Sequence, residues 1–274
     1  MTETELSRPS VKPADTSSIR QSLRWTISDI FVMTQRNLMR YIRLPQLLAF
    51  STIQPVMFLL LFTYVFGGAI NVSNMSYIDY LLPGILIQTV LFGSIQTGVG
   101  LAEDLSHGMV DRFRSLPMAR SAVLAGRTLS DTVRNAFVVL LLAGVGYLIG
   151  FRPDNGLLPA IAALLLVVLL GLAFSWISAT IGLTVRDAET AQVASQIWIF
   201  PLIFASSAFV PTETMPAALR TFTMINPVTF AADAVRALLQ GGDVGASLPG
   251  TLAWIGGLLL VFVPFAVRRY RHSL

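Results

Sequence analysis

Cysteine is absent from this 274-residue chain, which removes disulfides, thiolate metal sites and a cysteine nucleophile together. Only two histidines are present, His107 and His272, too few for a histidine-ligated metal centre. Lysine occurs once, at Lys12, with no glycine-rich run before it. A phosphate-binding loop needs a lysine behind its glycines to reach the β- and γ-phosphates. The chain therefore does not hydrolyse ATP by itself through such a loop. Charge is scarce as well, with 12% of residues charged against 54% hydrophobic, where a soluble domain carries about 25% charged residues. At a mean hydropathy of +0.69, a water-soluble globule would expose too much apolar surface. These figures define an integral membrane protein.

The formal net charge of +4 could suggest a nucleic-acid partner, but the arginines flank long apolar stretches instead of forming one patch. Membrane proteins distribute charge in this way. Residues 1–19 are rich in Ser, Thr and Pro and are expected to form a disordered cytoplasmic tail. The first long apolar run begins after Pro45, which argues against a cleavable signal peptide. From Ile27 to Ile42 apolar residues recur at helical spacing, with Arg36, Arg40 and Arg43 opposite. Residues 20–45 are thus expected to form an amphipathic helix in the membrane interface. A soluble helix packed on a partner would give the same pattern.

Residues 46–270 hold the membrane domain. Charge-free stretches at 44–78, 80–102, 157–185, 190–212 and 244–267 each exceed the ~20 apolar residues that cross a bilayer core. A sixth helix is expected to start near Ser121, with Arg127, Asp131 and Arg134 at the membrane edge. The expectation is an all-α protein of six spans, at about 46–67, 79–100, 121–150, 157–184, 191–210 and 247–267. Six spans put both termini on one side. Assigning that side to the cytoplasm gives it sixteen of the nineteen basic residues, as the positive-inside rule requires.

Catalysis has little support: no GxSxG elbow occurs, and neither histidine has an acidic orienter nearby. No ionisable residue sits at a span centre, which disfavours a proton-coupled secondary transporter. Arg127, Asp131 and Arg134 share one helical face, so each charge has a partner. Glu103 and Asp104 open a helix-like run in which Leu105, Met109, Phe113 and Leu116 share a face, stopped by Pro117. Such a helix either lies on the membrane or inserts into a groove of a cytoplasmic partner. The stretch 211–240 is half apolar yet external, and is expected to form one or two re-entrant helices packed on protein. Asn226-Pro227 opens the second, with Thr229 available as a cap and Asp233 three residues before Arg236. Pro55 and Pro201 are expected to kink their spans.

The order of these parts, with the runs DRFRSLPMARSAVLAGRTLSD and NPVTFAADAVRALL, resembles the type-2 ABC transporter permeases, specifically the daunorubicin-resistance membrane subunits. The likeness runs from about residue 25 onward. It implies a permease that pairs with a second, identical or different, and docks a separate cytoplasmic ATPase carrying ATP and Mg. No cofactor or metal is implied on this chain itself. In that family the helix after span 2 is the coupling helix, so Glu103, Asp104, His107, Arg112 and Arg114 are the implied ATPase contacts. The helix bearing Arg36, Arg40 and Arg43 is the implied connecting helix, and Asp233 with Arg236 the implied external gate. Efflux of a drug or antibiotic across a bacterial cell membrane is the implied function. A permease for a lipid or polysaccharide, or a non-transporting scaffold, stays open at this point.

Overall fold

The computed structural model describes residues 16–43, 45–67, 75–107, 120–185, 187–212 and 215–272. Among them every regular element is a helix. In chain order these are α1 (Thr16–Arg43), α2 (Pro45–Leu61), which continues into one π-helical turn (Phe62–Phe66), and α3 (Tyr77–Ser106). Then follow α4 (Arg120–Leu148), α5 (Leu157–Gly182), α6 (Ala188–Phe204), α7 (Ala217–Thr223), α8 (Pro227–Gln240) and α9 (Ser247–His272).

Helix α3 is the hub. It touches α2, α4, α5, α6 and α8, and 83% of its most apolar window is buried within the chain itself. The corresponding window of α9 is only 17% buried, and Leu260, Val261 and Phe265 face outward. A helix that is apolar and outward-facing suits hydrocarbon as its solvent. Small residues bring α3 and α5 together: a Cβ added at Gly98 would lie 2.3 Å from the Ser178 carbonyl oxygen, and one at Gly182 would lie 2.1 Å from that of Gly98. In lipid, helices associate through such close packing because no hydrophobic drive separates one apolar face from another.

Four described helices are long and apolar enough to cross a membrane: α3, the Val123–Leu148 part of α4, α5, and the Ser247–Tyr270 part of α9. The apolar stretches of the sequence predict six. Helix α2 carries a shorter apolar stretch, Ser51–Val65, and passes into a π turn. Helix α6 stops at Phe204, where the sequence pattern extends to 210. Its 17 residues reach about 26 Å at 1.5 Å per residue. Beyond it the chain makes tight turns through Ser206–Val210, where the Asn226 side chain donates to the Leu202 and Ala205 carbonyls at 2.8 and 2.7 Å.

Helix α3 runs past the expected end of its span. Glu103 and Asp104 therefore close α3, with His107 as its C-cap, and do not open a new helix. Nothing between Gly100 and Ser106 interrupts the hydrogen-bond ladder, so the polar residues simply extend it. The rest of the expected coupling run, with Arg112 and Arg114, lies outside the described residues, as does the 1–15 part of the tail.

Helix α1 packs on α4 through a face that keeps Ile30, Leu38 and Tyr41 of the expected apolar side half-buried but is rotated away from Phe31. Met33 and Thr34 are buried, while Phe31 is 68% exposed. The cause is local: Thr34 Oγ1 donates to the Ile30 carbonyl at 2.7 Å and lies 3.3 Å from that of Gly126. Arg36 and Arg43 are exposed; the Arg40 side chain lies outside the described residues.

Candidate functional site

Among the described residues two buried clusters of charge hold the bundle, one near each end of α3. The first centres on Asp131 of α4, whose side chain is fully buried. A buried carboxylate survives only if it is paired and hydrogen-bonded. Asp131 accepts from Tyr41 Oη of α1 at 2.7 Å and from Thr97 Oγ1 of α3 at 2.8 Å. Arg127 Nε lies 3.6 Å away and Arg134 Nη1 3.8 Å. Arg127 also reaches Asp104 at 3.5 Å, which offsets the poor placement of an acidic residue at a helix C-terminus. Arg134 donates to the Gly93 carbonyl at 2.8 Å and sits 5.3 Å from the centre of the Tyr41 ring. One carboxylate thus ties three helices.

Burial, and then the Asp131 charge, push the Tyr41 phenol up to about 12. It is a donor at any physiological pH. Because the folded state holds the neutral phenol, its contribution is complete below the unfolded value of about 10 and fades as pH rises toward about 12. Tyr41→Phe removes a hydrogen bond to a charged group and is expected to cost about 2 kcal/mol. The difference in detergent melting temperature between the two proteins should then shrink as pH climbs through that window; a constant difference would contradict the assignment.

The second cluster lies at the other end of α3. Arg236 of α8 is 8% exposed and pairs with Asp233 at 2.9 Å. Its Nε donates to the Tyr80 carbonyl at 3.0 Å, and its other nitrogens reach the Ser207 carbonyl and, at 3.3 Å, that of Ala208. Its Cζ sits 3.8 Å from the centre of the Tyr80 ring, whose hydroxyl donates to the Ser207 carbonyl at 2.8 Å. Ser207 Oγ donates to Asp233 at 2.8 Å. The planar fork of a guanidinium matches this ring of acceptors as an ammonium does not. The N-cap of α8 is Asn226; Thr229, the cap expected from sequence, is buried without a hydrogen-bond partner for its hydroxyl.

The sequence-derived residues therefore divide. Asp233 and Arg236 meet as expected, and Asp104 joins the Asp131 cluster. Glu103 and His107 end α3, with the His107 ring 2.8 Å from the Glu103 carbonyl. Tyr41, Thr97, Tyr80 and Ser207 escaped the sequence reading. The only signal for them was a scatter of hydroxyls in otherwise apolar helices.

A polytopic helical membrane protein, with its charge paired and buried at the two ends of a central helix, is the class these features define. Residues 28–239 match the family of ABC-2 type transporters. The chain is 37% identical, over 242 residues covering 87% of it and 84% of the relative, to a daunorubicin resistance ABC transporter permease of Streptomyces coeruleorubidus. It is 26% identical over 256 residues, 93% of the chain and 92% of the relative, to a protein of Mycobacterium tuberculosis described as a probable doxorubicin resistance ABC transporter permease. A doxorubicin resistance permease of the same organism is 32% identical over 124 residues, 45% of the chain and 43% of the relative. The chain belongs to the ABC-2 type transporter family. It is a transport subunit and not an enzyme; in such systems ATP hydrolysis belongs to a separate subunit.

Proposed function

We propose that this chain is the permease of an ATP-driven exporter that moves a hydrophobic or amphiphilic small molecule, as in drug or antibiotic efflux. The observation that carries the reading is the similarity over most of the chain to a permease named for daunorubicin resistance. In this reading a separate cytoplasmic ATPase, holding ATP and Mg, docks on the end of α3 and the segment after it. Glu103, Asp104, His107, Arg112 and Arg114 supply the contact, flanked by α1 with Arg36, Arg40 and Arg43. The Arg127 bridge supports this arrangement, because a push on Asp104 is carried to Asp131 and from there to Tyr41 on α1.

Helices α2 and α6 complete six spans in a bacterial plasma membrane, with both termini cytoplasmic by the arginine bias. Helices α7 and α8 are re-entrant, and Asp233 with Arg236 closes the outer end. A second permease completes the path, identical or different. The similarity to two distinct permeases of one organism supports such pairing. Membrane lipid covers the remaining apolar faces.

The test is a mild-detergent pull-down of the tagged chain from native membranes with an ATPase assay on the eluate. A co-purifying ATPase with vanadate-sensitive turnover is expected, and Arg112→Glu should lower both its recovery and transport while the chain still inserts. Normal transport by a well-expressed Arg112→Glu variant would count against the docking surface.

A further inference from the structure

Between α2, α3 and α4 two chambers adjoin, sharing Ser51, Gln54, Gln96 and Arg134 in their walls. The wider, about 360 Å³, lies beside Tyr41, Glu103 and Arg127. The narrower, about 110 Å³, reaches to Phe58, Gln88, Phe92 and Asn135, roughly halfway along α3. Together they fall within the size range of small-molecule pockets, ~300 Å³ or more.

The inner chamber has an unusual chemistry for a membrane protein. The Asn135 side chain is 3% exposed, and its Oδ1 takes a hydrogen bond from Arg134 at 3.2 Å. Its amide nitrogen has no partner. Gln88, 5% exposed, lines the same space. Leaving a buried donor unpaired costs about 1–3 kcal/mol, and buried amides in a cavity wall are acceptor-seeking groups. Arg134 alone among the described lining side chains of this chamber carries charge, and it is already paired with Asp131. No unbalanced charge is left to attract an ion.

Two rings, Phe58 and Phe92, also line the chamber, and they begin a continuous file. Phe58 stacks on Phe62 at 5.9 Å, and Phe62 on Phe209 at 5.3 Å. Phe209 meets Phe204 at 5.6 Å, Phe204 stacks on Phe200 at 5.8 Å, and Phe200 meets Phe92 edge-on at 5.3 Å. The file runs from the chamber to the turn that holds Ser207 and the Arg236 cluster. Rings favour aromatic guests by offset stacking and edge contacts.

We infer that this chamber is a binding site within a single subunit for an uncharged aromatic amphiphile bearing carbonyl acceptors, its acceptor on Asn135 and Gln88 and its body on Phe58 and Phe92. The inference rests on the exporter reading for its purpose, since a ligand held here would be cargo, but binding itself needs no ATP.

The absence of native cysteine makes the test direct. Gln54→Cys, in the wall of both chambers, is labelled with N-ethylmaleimide in native membranes holding the full chain, without ATP. Labelling is repeated with acetylnaphthalene, naphthoate or naphthylmethylammonium, which share a ring system and differ in charge. Leu260→Cys, on a face 79% exposed, reports simple partitioning into the membrane. Acetylnaphthalene should slow labelling of Gln54→Cys about fivefold more than the charged analogues, the worth of roughly one hydrogen bond, and do nothing selective at Leu260→Cys. Adding Asn135→Leu or Gln88→Leu should erase that preference. Equal protection by all three compounds, no protection by the ketone, or a preference that survives both leucine variants would overturn the site. Selective protection without any ATP-driven transport would sink the exporter reading and leave the site standing; transport without selective protection would do the reverse.

Discussion

Asp131→Ala is expected to destabilise the membrane domain by about 3–5 kcal/mol, the usual cost of removing one partner from a buried ion cluster. The loss is large because Arg127 and Arg134, 11% and 5% exposed, would keep their charges with no carboxylate between them. Tyr41 and Thr97 would lose their acceptor as well. Detergent-solubilised protein should melt markedly lower and chromatograph partly as aggregate. Asp131→Asn keeps an acceptor for Tyr41 but not the charge, and should fall between. A sharper experiment replaces Arg127 and Arg134 by Met and Asp131 by Leu together. Buried ion triads exchanged for apolar side chains of similar volume often recover or exceed the original stability. Recovery of melting temperature with transport still abolished is the expected outcome, and would assign the cluster to force transmission. Full recovery of both would mean that the charges serve packing alone.

Arg236→Lys is the second large effect. An ammonium at this position cannot meet the carbonyls of Tyr80, Ser207 and Ala208 together with the Asp233 carboxylate. At about 1–3 kcal/mol for each buried group left unpaired, the loss should exceed roughly 3 kcal/mol, nearly as much as for Arg236→Met. Asp233 is 48% exposed, so water can replace much of what it gives, and Asp233→Asn should cost only about 1 kcal/mol. Exchanging the two residues should fail outright, because a carboxylate at 236 would face carbonyl oxygens. Thermal unfolding of the four variants checks the order; an exchanged pair as stable as the parent would refute the carbonyl ring as the main partner of Arg236.

Pairing of charges one helical turn apart could be read from spacing, and both Arg127–Asp131–Arg134 and Asp233–Arg236 were. What spacing could not supply was depth. The same three residues suit a solvated membrane edge and a sealed interior equally well, and only the packing of α1 and α3 on α4 decides for the interior. Helix type and approximate bounds for α2, α4, α5 and α9 were likewise legible, because long apolar runs have few alternatives in a bilayer. The end of α6 was not: Ser206–Val210 is as apolar as the helix before it. It leaves the helix because Asn226, more than twenty residues later in the chain, takes the Leu202 and Ala205 carbonyls. Of the apolar face expected for α1, Phe31 alone among the described side chains turns outward, for a related reason. A helix with apolar residues on more than one side packs by shape, and the small Thr34 fits against Gly126 where Phe31 would not. Carbonyl acceptors, which make Arg236 an arginine site, carry no signature in side-chain sequence at all.

The central position of α3 bears on how the protein is made. Ser94 and Thr97 meet Ser178 of α5 and Asp131 of α4, helices that come later in the chain, Gln88 and Thr89 are buried as well, and α3 is less apolar than α5. When α3 leaves the ribosome, its chief partners α5, α6 and α4 have not been synthesised. For that interval a moderately polar helix must wait in the translocation channel or in lipid, with hydroxyls and amides turned toward hydrocarbon. Emergence of α5 ends the wait, since Gly98 and Gly182 then bring the two backbones together. A nascent chain stopped between residues 148 and 157 should accordingly stay bound to the insertion machinery, and one extended through α5 should be released.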